Sequence, residues 1–296
     1  MPEVHTLLTG LAFGESPRWH QDRLWFADWG TQEVIAVELD GKSEVIVRVP
    51  TARPETRLNF GGAGQGPFSI DWLPDGRLLI VSGRDRLLLR REPDGRLVTH
   101  ADLTSLSDHG WNEIVVDGRG HIYLNGGGSD FVAGEPFAPS IVALVTLDGS
   151  ARQVADGLAL PNGMAVTPDN STLIVAESYG KRLTAFDIGP DGSLSNRRVW
   201  ADLGDGVPDG ICLDTDWAVW YGDVPNQRCV RVREGGEVLQ TIPLDRGCFA
   251  CMLGGVNKQT LFLVATEWRG AANVAALAGT GQVLTAGAPA PHAGWP

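Results

Sequence analysis

Six short apolar runs, each set behind an Asp or Asn turn, recur along the chain and limit what it can fold into. Leu24-Trp25-Phe26-Ala27 follows Asp22, Leu78-Leu79-Ile80-Val81 follows Asp75, and His121-Ile122-Tyr123-Leu124 follows Asp117. Leu173-Ile174-Val175-Ala176, Ala218-Val219-Trp220-Tyr221 and Leu261-Phe262-Leu263-Val264 follow Asp169, Asp214 and Asn257. The turns are spaced by 53, 42, 52, 45 and 43 residues. A period of roughly 40–50 residues is that of propeller blades.

Each unit also repeats internally. A third run alternates toward a second turn: residues 34–39 before Asp40-Gly41, 87–89 before Asp94-Gly95, 141–147 before Asp148-Gly149, and 183–188 before Asp191-Gly192. Asp-Gly between apolar runs predicts a hairpin, because both central positions of a type I′ turn need positive φ. Nothing between the runs holds a helical period over ten residues, so alternating strand–helix units are excluded. The 38 Gly and 18 Pro, spread along the chain, agree with many turns. The expectation is an all-β protein: a single six-bladed β-propeller with four-stranded antiparallel blades over residues 1–296. The Ala/Gly/Pro-rich residues 271–296 are left unplaced. Residues 51–67 (with Arg53, Arg57 and a Gly-rich run) and 125–140 (with Glu135) read as long loops on a rigid scaffold.

Charge and composition narrow the function classes. The formal charge of −12, without a Lys/Arg run, argues against nucleic acid or an anionic membrane as partner. No apolar stretch is long enough for a spanning helix, and Met1-Pro2-Glu3-Val4-His5 lacks the features of a secretory signal, so the cytoplasm is the expected compartment. Cys212, Cys229, Cys248 and Cys251 all lie in the last third. Cys248-Phe249-Ala250-Cys251 has neither a second ligand pair for zinc nor a redox context, and the cysteines read as buried small hydrophobes. No Gly-x-Ser-x-Gly elbow and no phosphate loop is present.

The chemistry is expected where each unit's first strand begins. There stand Gly14-Glu15-Ser16-Pro17, Trp111-Asn112-Glu113, Pro161-Asn162-Gly163-Met164 and Pro208-Asp209-Gly210. A polar residue ahead of a strand usually caps a turn. A carboxylate or carboxamide at the same point of four repeats, on the strands that line a propeller's channel, instead predicts convergence. Carboxylates meeting in a narrow channel repel unless a cation neutralises them, and Glu, Asp and Asn oxygens are what hard divalent ions take. Ca²⁺, Mg²⁺ and Mn²⁺ suit such a set, with Zn²⁺ or Fe²⁺ left open.

Gly14-Glu15-Ser16-Pro17, Leu160-Pro161-Asn162-Gly163-Met164-Ala165 and Pro208-Asp209-Gly210 resemble the metal-site motifs of the senescence-marker-protein / gluconolactonase / luciferin-regenerating-enzyme family, the regucalcin-like lactonases. The resemblance runs over residues 10–268, and Cys251-Met252-Leu253-Gly254-Gly255 resembles the family's last-blade segment. It implies a six-bladed propeller with one catalytic divalent ion that opens a lactone. Glu15, Asn162 and Asp209 would be the metal ligands, Asp209 also the general base, and Asn112, beside the metal, a contact to substrate or to a bound water. Sugar-lactone members carry an Arg two residues before that Asn. Here the run is Gly110-Trp111-Asn112-Glu113, so a less polar lactone or a small ester is expected, with Trp111, His109 and Glu113 as further substrate-side candidates. His109 and Glu113 are also rival bases, although a loop His is more often simply solvated. Trp29, Trp72 and Trp111 are candidate pocket walls. The competing expectation is a metal-stabilised propeller that binds a ligand or protein without turnover.

Overall fold

The computed structural model describes residues 2–50, 68–129, 134–270 and 277–296. Its 25 strands, numbered β1 to β25 along the chain, form six antiparallel sheets, and no helix long and apolar enough to cross a membrane is present among the described residues. The sheets stand in a ring, each with one inner strand at the hub. The inner strands are β2 (Gly14–His20), β6 (Phe68–Trp72), β10 (Trp111–Val116), β14 (Pro161–Val166), β18 (Pro208–Asp214) and β22 (Gly247–Gly254), and each packs beside the next. The protein is therefore a six-bladed β-propeller, as the repeat predicts. Residues 51–67, with Arg53, Arg57 and the Gly-rich run, lie outside the described residues.

The Asp-Gly hairpins form, but with a different turn from the one expected. Gly41, Gly76, Gly95, Gly149 and Gly192 have positive φ, whereas the Asp before each does not. Gly41 N donates to Glu38 O and Glu38 N to Lys42 O, both at 2.9 Å, which is a type I turn followed by a left-handed glycine. Asp serves there by accepting the N–H two residues on, as from Lys42 to Asp40 Oδ1 at 2.9 Å, and Asp75, Asp94, Asp148 and Asp191 repeat that bond. Gln21-Asp22, with both φ positive, is the two-residue primed turn.

The core lies between blades, not within one. Leu79, Val81 and Leu88 of the second blade pack with Trp111, Ile114 and Leu124 of the third, and each further gap between neighbours is filled in the same way. Every fully buried side chain of this size contributes about 1.5–3 kcal/mol, so neighbouring blades stabilise one another.

Two distant segments complete the ring. β1 (His5–Leu11) pairs with β24 (Gly281–Gly287) and is the outer strand of the sixth blade, which closes the first part of the chain onto the last. β25 (His292–Ala293) adds a fifth strand to the fifth blade at the lower end of β18. Trp295 then exchanges backbone hydrogen bonds with Val166 at 2.8 and 2.9 Å, so the last residues cross the lower end of two inner strands. The described part of 271–296 thus belongs to the propeller.

Candidate functional site

Five of the six inner strands carry the same deformation at the same height. Between Glu15 and Arg18, Trp111 and Ile114, Pro161 and Met164, Pro208 and Ile211, and Cys248 and Ala250, one extra residue is inserted against the partner strand. β6 pairs in unbroken register. A one-residue bulge bends the strand and re-aims its side chains. Glu15 stands just before its bulge, and Asn112, Asn162 and Asp209 stand within theirs, which is the structural origin of the shared position seen in the sequence. Cys248 occupies the corresponding point of the sixth blade.

Close approach of the strands brings these residues toward one another. A methyl group on Gly163 would lie 2.5 Å from Ile211 N and 2.7 Å from Asp209 O, so β14 and β18 touch backbone to backbone beside Asn162 and Asp209. Asn125, from β11 (Ile122–Gly126), donates Nδ2 to Asn162 O at 2.5 Å and steadies that backbone.

The electrostatics are unfavourable without a cation. Burial, then the charges of Asp209 and Glu113, push Glu15 well above the usual carboxylate range. Burial, then Glu113 and Asp223, do the same to Asp209. Among the described residues, Asp209 Oδ1 and Asn125 Oδ1 are buried without a hydrogen-bond partner, and Glu15 Oε2 accepts one bond, from Ser16 N at 3.0 Å. Unpaired buried carboxylate oxygen costs several kcal/mol or forces protonation. Among the described residues no three His, Cys, Asp or Glu side chains gather to hold a metal by themselves. Here the third candidate donor is a carboxamide. Two carboxylates, a carboxamide and an unpaired buried oxygen fit a hard divalent ion.

The other predicted residues divide. Glu113 is buried and ion-paired to Arg18 at 3.0 Å, facing Glu15 and Asp209 electrostatically. His109 is half-exposed on the loop before β10, with Nε2 2.8 Å from Glu135 Oε2. Trp111 corrects an expectation: it is fully buried in the core between the second and third blades, so its ring does not wall the channel. Trp72 stacks on His20 with centroids 4.0 Å apart at the lower end of β6, away from Asp209. Trp29 remains on the site's face, in an aromatic group with Phe13, Phe249 and Trp268 whose successive centroids are 4.8–5.7 Å apart. The four cysteines are free and buried, as expected, and share one cluster.

Sequence reasoning missed Arg18 and Asn125. A polar Asn within the apolar second strand Ile122-Tyr123-Leu124-Asn125 was a usable signal. Arg18 gave none, since strand alternation puts residues three apart on opposite faces and only the bulge brings it beside Glu15.

Three long connections leave and rejoin the ring at this face. The connections β5 (Ser43–Arg48) to β6, β11 to β12 (Ser140–Val145), and β23 (Thr260–Thr266) to β24 all start and finish at the end where the inner strands begin.

Known proteins share this fold. Regucalcin of Xenopus laevis is 28% identical over 151 residues, 46% of this chain and 50% of that protein, so the chain spans about half the length of such curated relatives. Pentonolactonase XacC of Haloferax volcanii is 24% identical over 265 residues, covering 79% of this chain and 81% of its own. The solved luciferin-regenerating enzyme superposes with a TM-score of 0.81 at 18% identity, covering 99% of this chain and 98% of the other, which shows the common fold. The family profile described as the SMP-30/Gluconolactonase/LRE-like region matches residues 13–267. This chain belongs to the SMP-30/gluconolactonase/LRE-like family.

Proposed function

We propose that this protein hydrolyses a lactone, or a small ester, with one divalent metal ion held by Glu15, Asn162 and Asp209. The observation that carries the reading is the pair of mutually repelling carboxylates, buried Glu15 and half-buried Asp209, with Asp209 Oδ1 inaccessible and unpaired between converging strands. Such a pair is a poor way to stabilise a hub and a good way to hold a cation. The family membership and the resemblance to a pentonolactonase support the reaction class.

When bound, a divalent ion polarises an ester carbonyl, stabilises the charge developing on its oxygen and makes water more acidic. The chain's residues supply the rest. Asp209 is the candidate base: its carboxylate takes the proton of the attacking water and returns it to the leaving alkoxide as the ring opens. Asn112 stands at the corresponding position of the third blade and orients the substrate by its carboxamide. Glu113 is held by Arg18, which argues against it as the base. The ring opens without a covalent intermediate, because a lactone is already an activated ester.

The substrate is proposed to be less polar than a sugar lactone. Trp111 no longer supports that view, but the missing arginine does, as do Phe13, Trp29, Phe249 and Trp268 on the same face. Ca²⁺, Mg²⁺, Mn²⁺ and Zn²⁺ are the ions to try.

The test is hydrolysis of a lactone panel, from sugar lactones to alkyl-substituted ones, after chelation and stepwise addition of single metals. Activity should vanish on stripping and return with at least one ion, and Asp209→Ala should abolish it. Undiminished activity in the stripped protein would overturn the metal reading. Loss of melting temperature on chelation, with no lactone turned over by any metal form, would leave a binding module instead.

A further inference from the structure

Arg18 is buried to 5% exposure and Glu113 to 6%, in the channel wall beside Gly163, Gly210 and Ala250. Arg18 Nη2 donates to Glu113 Oε1 at 3.0 Å and to Ile114 O at 2.7 Å, while Nη1 donates to Pro17 O at 3.0 Å. Glu113 Oε1 also accepts from Ser16 Oγ at 3.1 Å and from Ile114 N at 2.9 Å. Ser16 Oγ in turn accepts Ile70 N at 3.1 Å. One carboxylate oxygen is thus tied to three donors, two of them on β2, whose bulge brings Glu15 and Arg18 to the same region. Glu113 nonetheless acts electrostatically on both Glu15 and Asp209, and Arg18 acts on Glu15. Glu15, Asp209 and Glu113 carry three formal negative charges, and Arg18 carries one positive charge. Asp71 also faces Arg18, but its oxygens are held by Val116 N and Trp72 N. The Asp223 charge beside Asp209 is matched by Arg228 at 2.8 Å.

We propose that Arg18 is a positioning residue: by holding Glu113 it keeps a third carboxylate out of the coordination set and fixes the charge of the Glu15–Asp209–Glu113–Arg18 group at minus two, matched to a divalent ion. The inference rests on the metal reading above and adds to it a determinant of affinity that contributes no ligand. The pair acts through charge, so removal of either member alone must tighten or weaken cation binding according to sign, whereas a purely structural pair would only lower stability.

The experiment is calorimetric titration of MnCl₂ and CaCl₂ into the stripped full chain, for the parent, Arg18→Met, Glu113→Gln and the double variant. The group's charge is then minus two, minus three, minus one and minus two. Arg18→Met should bind most tightly, Glu113→Gln least, and the double variant within about threefold of the parent, each step in charge being worth at least roughly tenfold in Kd. Arg18→Met leaves a buried carboxylate unpaired and is the variant at risk of misfolding. The double variant replaces both charges with neutral groups, and its binding at least tenfold more tightly than Glu113→Gln makes the same point without Arg18→Met. Equal affinities across the set, or a double variant that binds like Glu113→Gln, would overturn the role of Arg18 and leave the metal site standing. A folded parent that binds neither ion would overturn both.

Discussion

Replacing Gly163 by alanine perturbs the point where two candidate donor strands meet. The added methyl would stand 2.5 Å from Ile211 N, 2.7 Å from Asp209 O and 2.8 Å from Gly210 Cα. All three are backbone atoms, so no side chain can swing aside. Ordinary contact begins at 3.4 Å, and β18 must therefore retreat from β14 by about 0.6–0.9 Å. Overpacking of this kind costs about 3 kcal/mol, which for a chain of this size is a fall of about 1 M in the urea midpoint. The retreat also draws Asp209 away from Asn162, and misplacement near 1 Å lowers turnover about 100-fold. Urea unfolding and lactone hydrolysis are read in parallel, with Gly287→Ala, whose added methyl meets nothing within 4 Å, as the control. A Gly163→Ala protein with the control's midpoint and the parent's rate would refute the close-approach argument.

Two titratable groups, buried Asp71 and half-buried His292, give opposite pH dependences. Burial pushes Asp71 from 3.8 up to about 6, against the lowering pull of Arg18 and two backbone N–H groups. The unfolded chain ionises first as pH rises from 3.8 to 6, so stability falls by about 3 kcal/mol over that window and stays lower above it. Asp71→Asn should therefore gain on the parent by that amount between pH 4 and pH 7 in urea titrations, and parallel curves would contradict it. Burial holds His292 down from 6.5 to about 4. Its contribution is complete above pH 6.5 and about 3 kcal/mol is lost as pH falls to 4, because only the unfolded chain takes up the proton; His292→Gln should flatten that limb. Glu177, fully buried, accepts from Arg182 Nε at 2.9 Å and Ala159 N at 2.7 Å, so Glu177→Ala should cost about 3 kcal/mol or more, seen as a lowered melting temperature.

The ring was readable because its signals are local. A turn, an apolar run and a second turn recur with Asp at positions where its carboxylate binds the next strand's backbone. The shared position of Glu15, Asn112, Asn162 and Asp209 was readable for a related reason, since a bulge at one height in successive blades leaves the same residue classes at the same offset. What escaped was set by contacts distant in sequence. No rule of alternation places Arg18 beside Glu15, because the extra residue at Ser16-Pro17 has no mark in composition. The pairing of β1 with β24 joins residues some 280 apart and shows only in three dimensions. β25 is two residues long, too short for any period. Trp111 was misread because an aromatic beside a donor has two faces to choose from, and only burial tells which one it took.

The closure of the sixth blade by β1 has a consequence for how the proposed ion would be acquired. Glu15 belongs to the first blade and Asp209 to the fifth, and the sixth blade, shut by β1, stands between them. A nascent chain with five blades folded holds both carboxylates yet has not brought them together. On the proposed metal reading, uptake of a cation should thus coincide with the final zippering of β1 onto β24, and a chelator should speed opening at that edge before any other blade loosens, which hydrogen exchange along β24 would report.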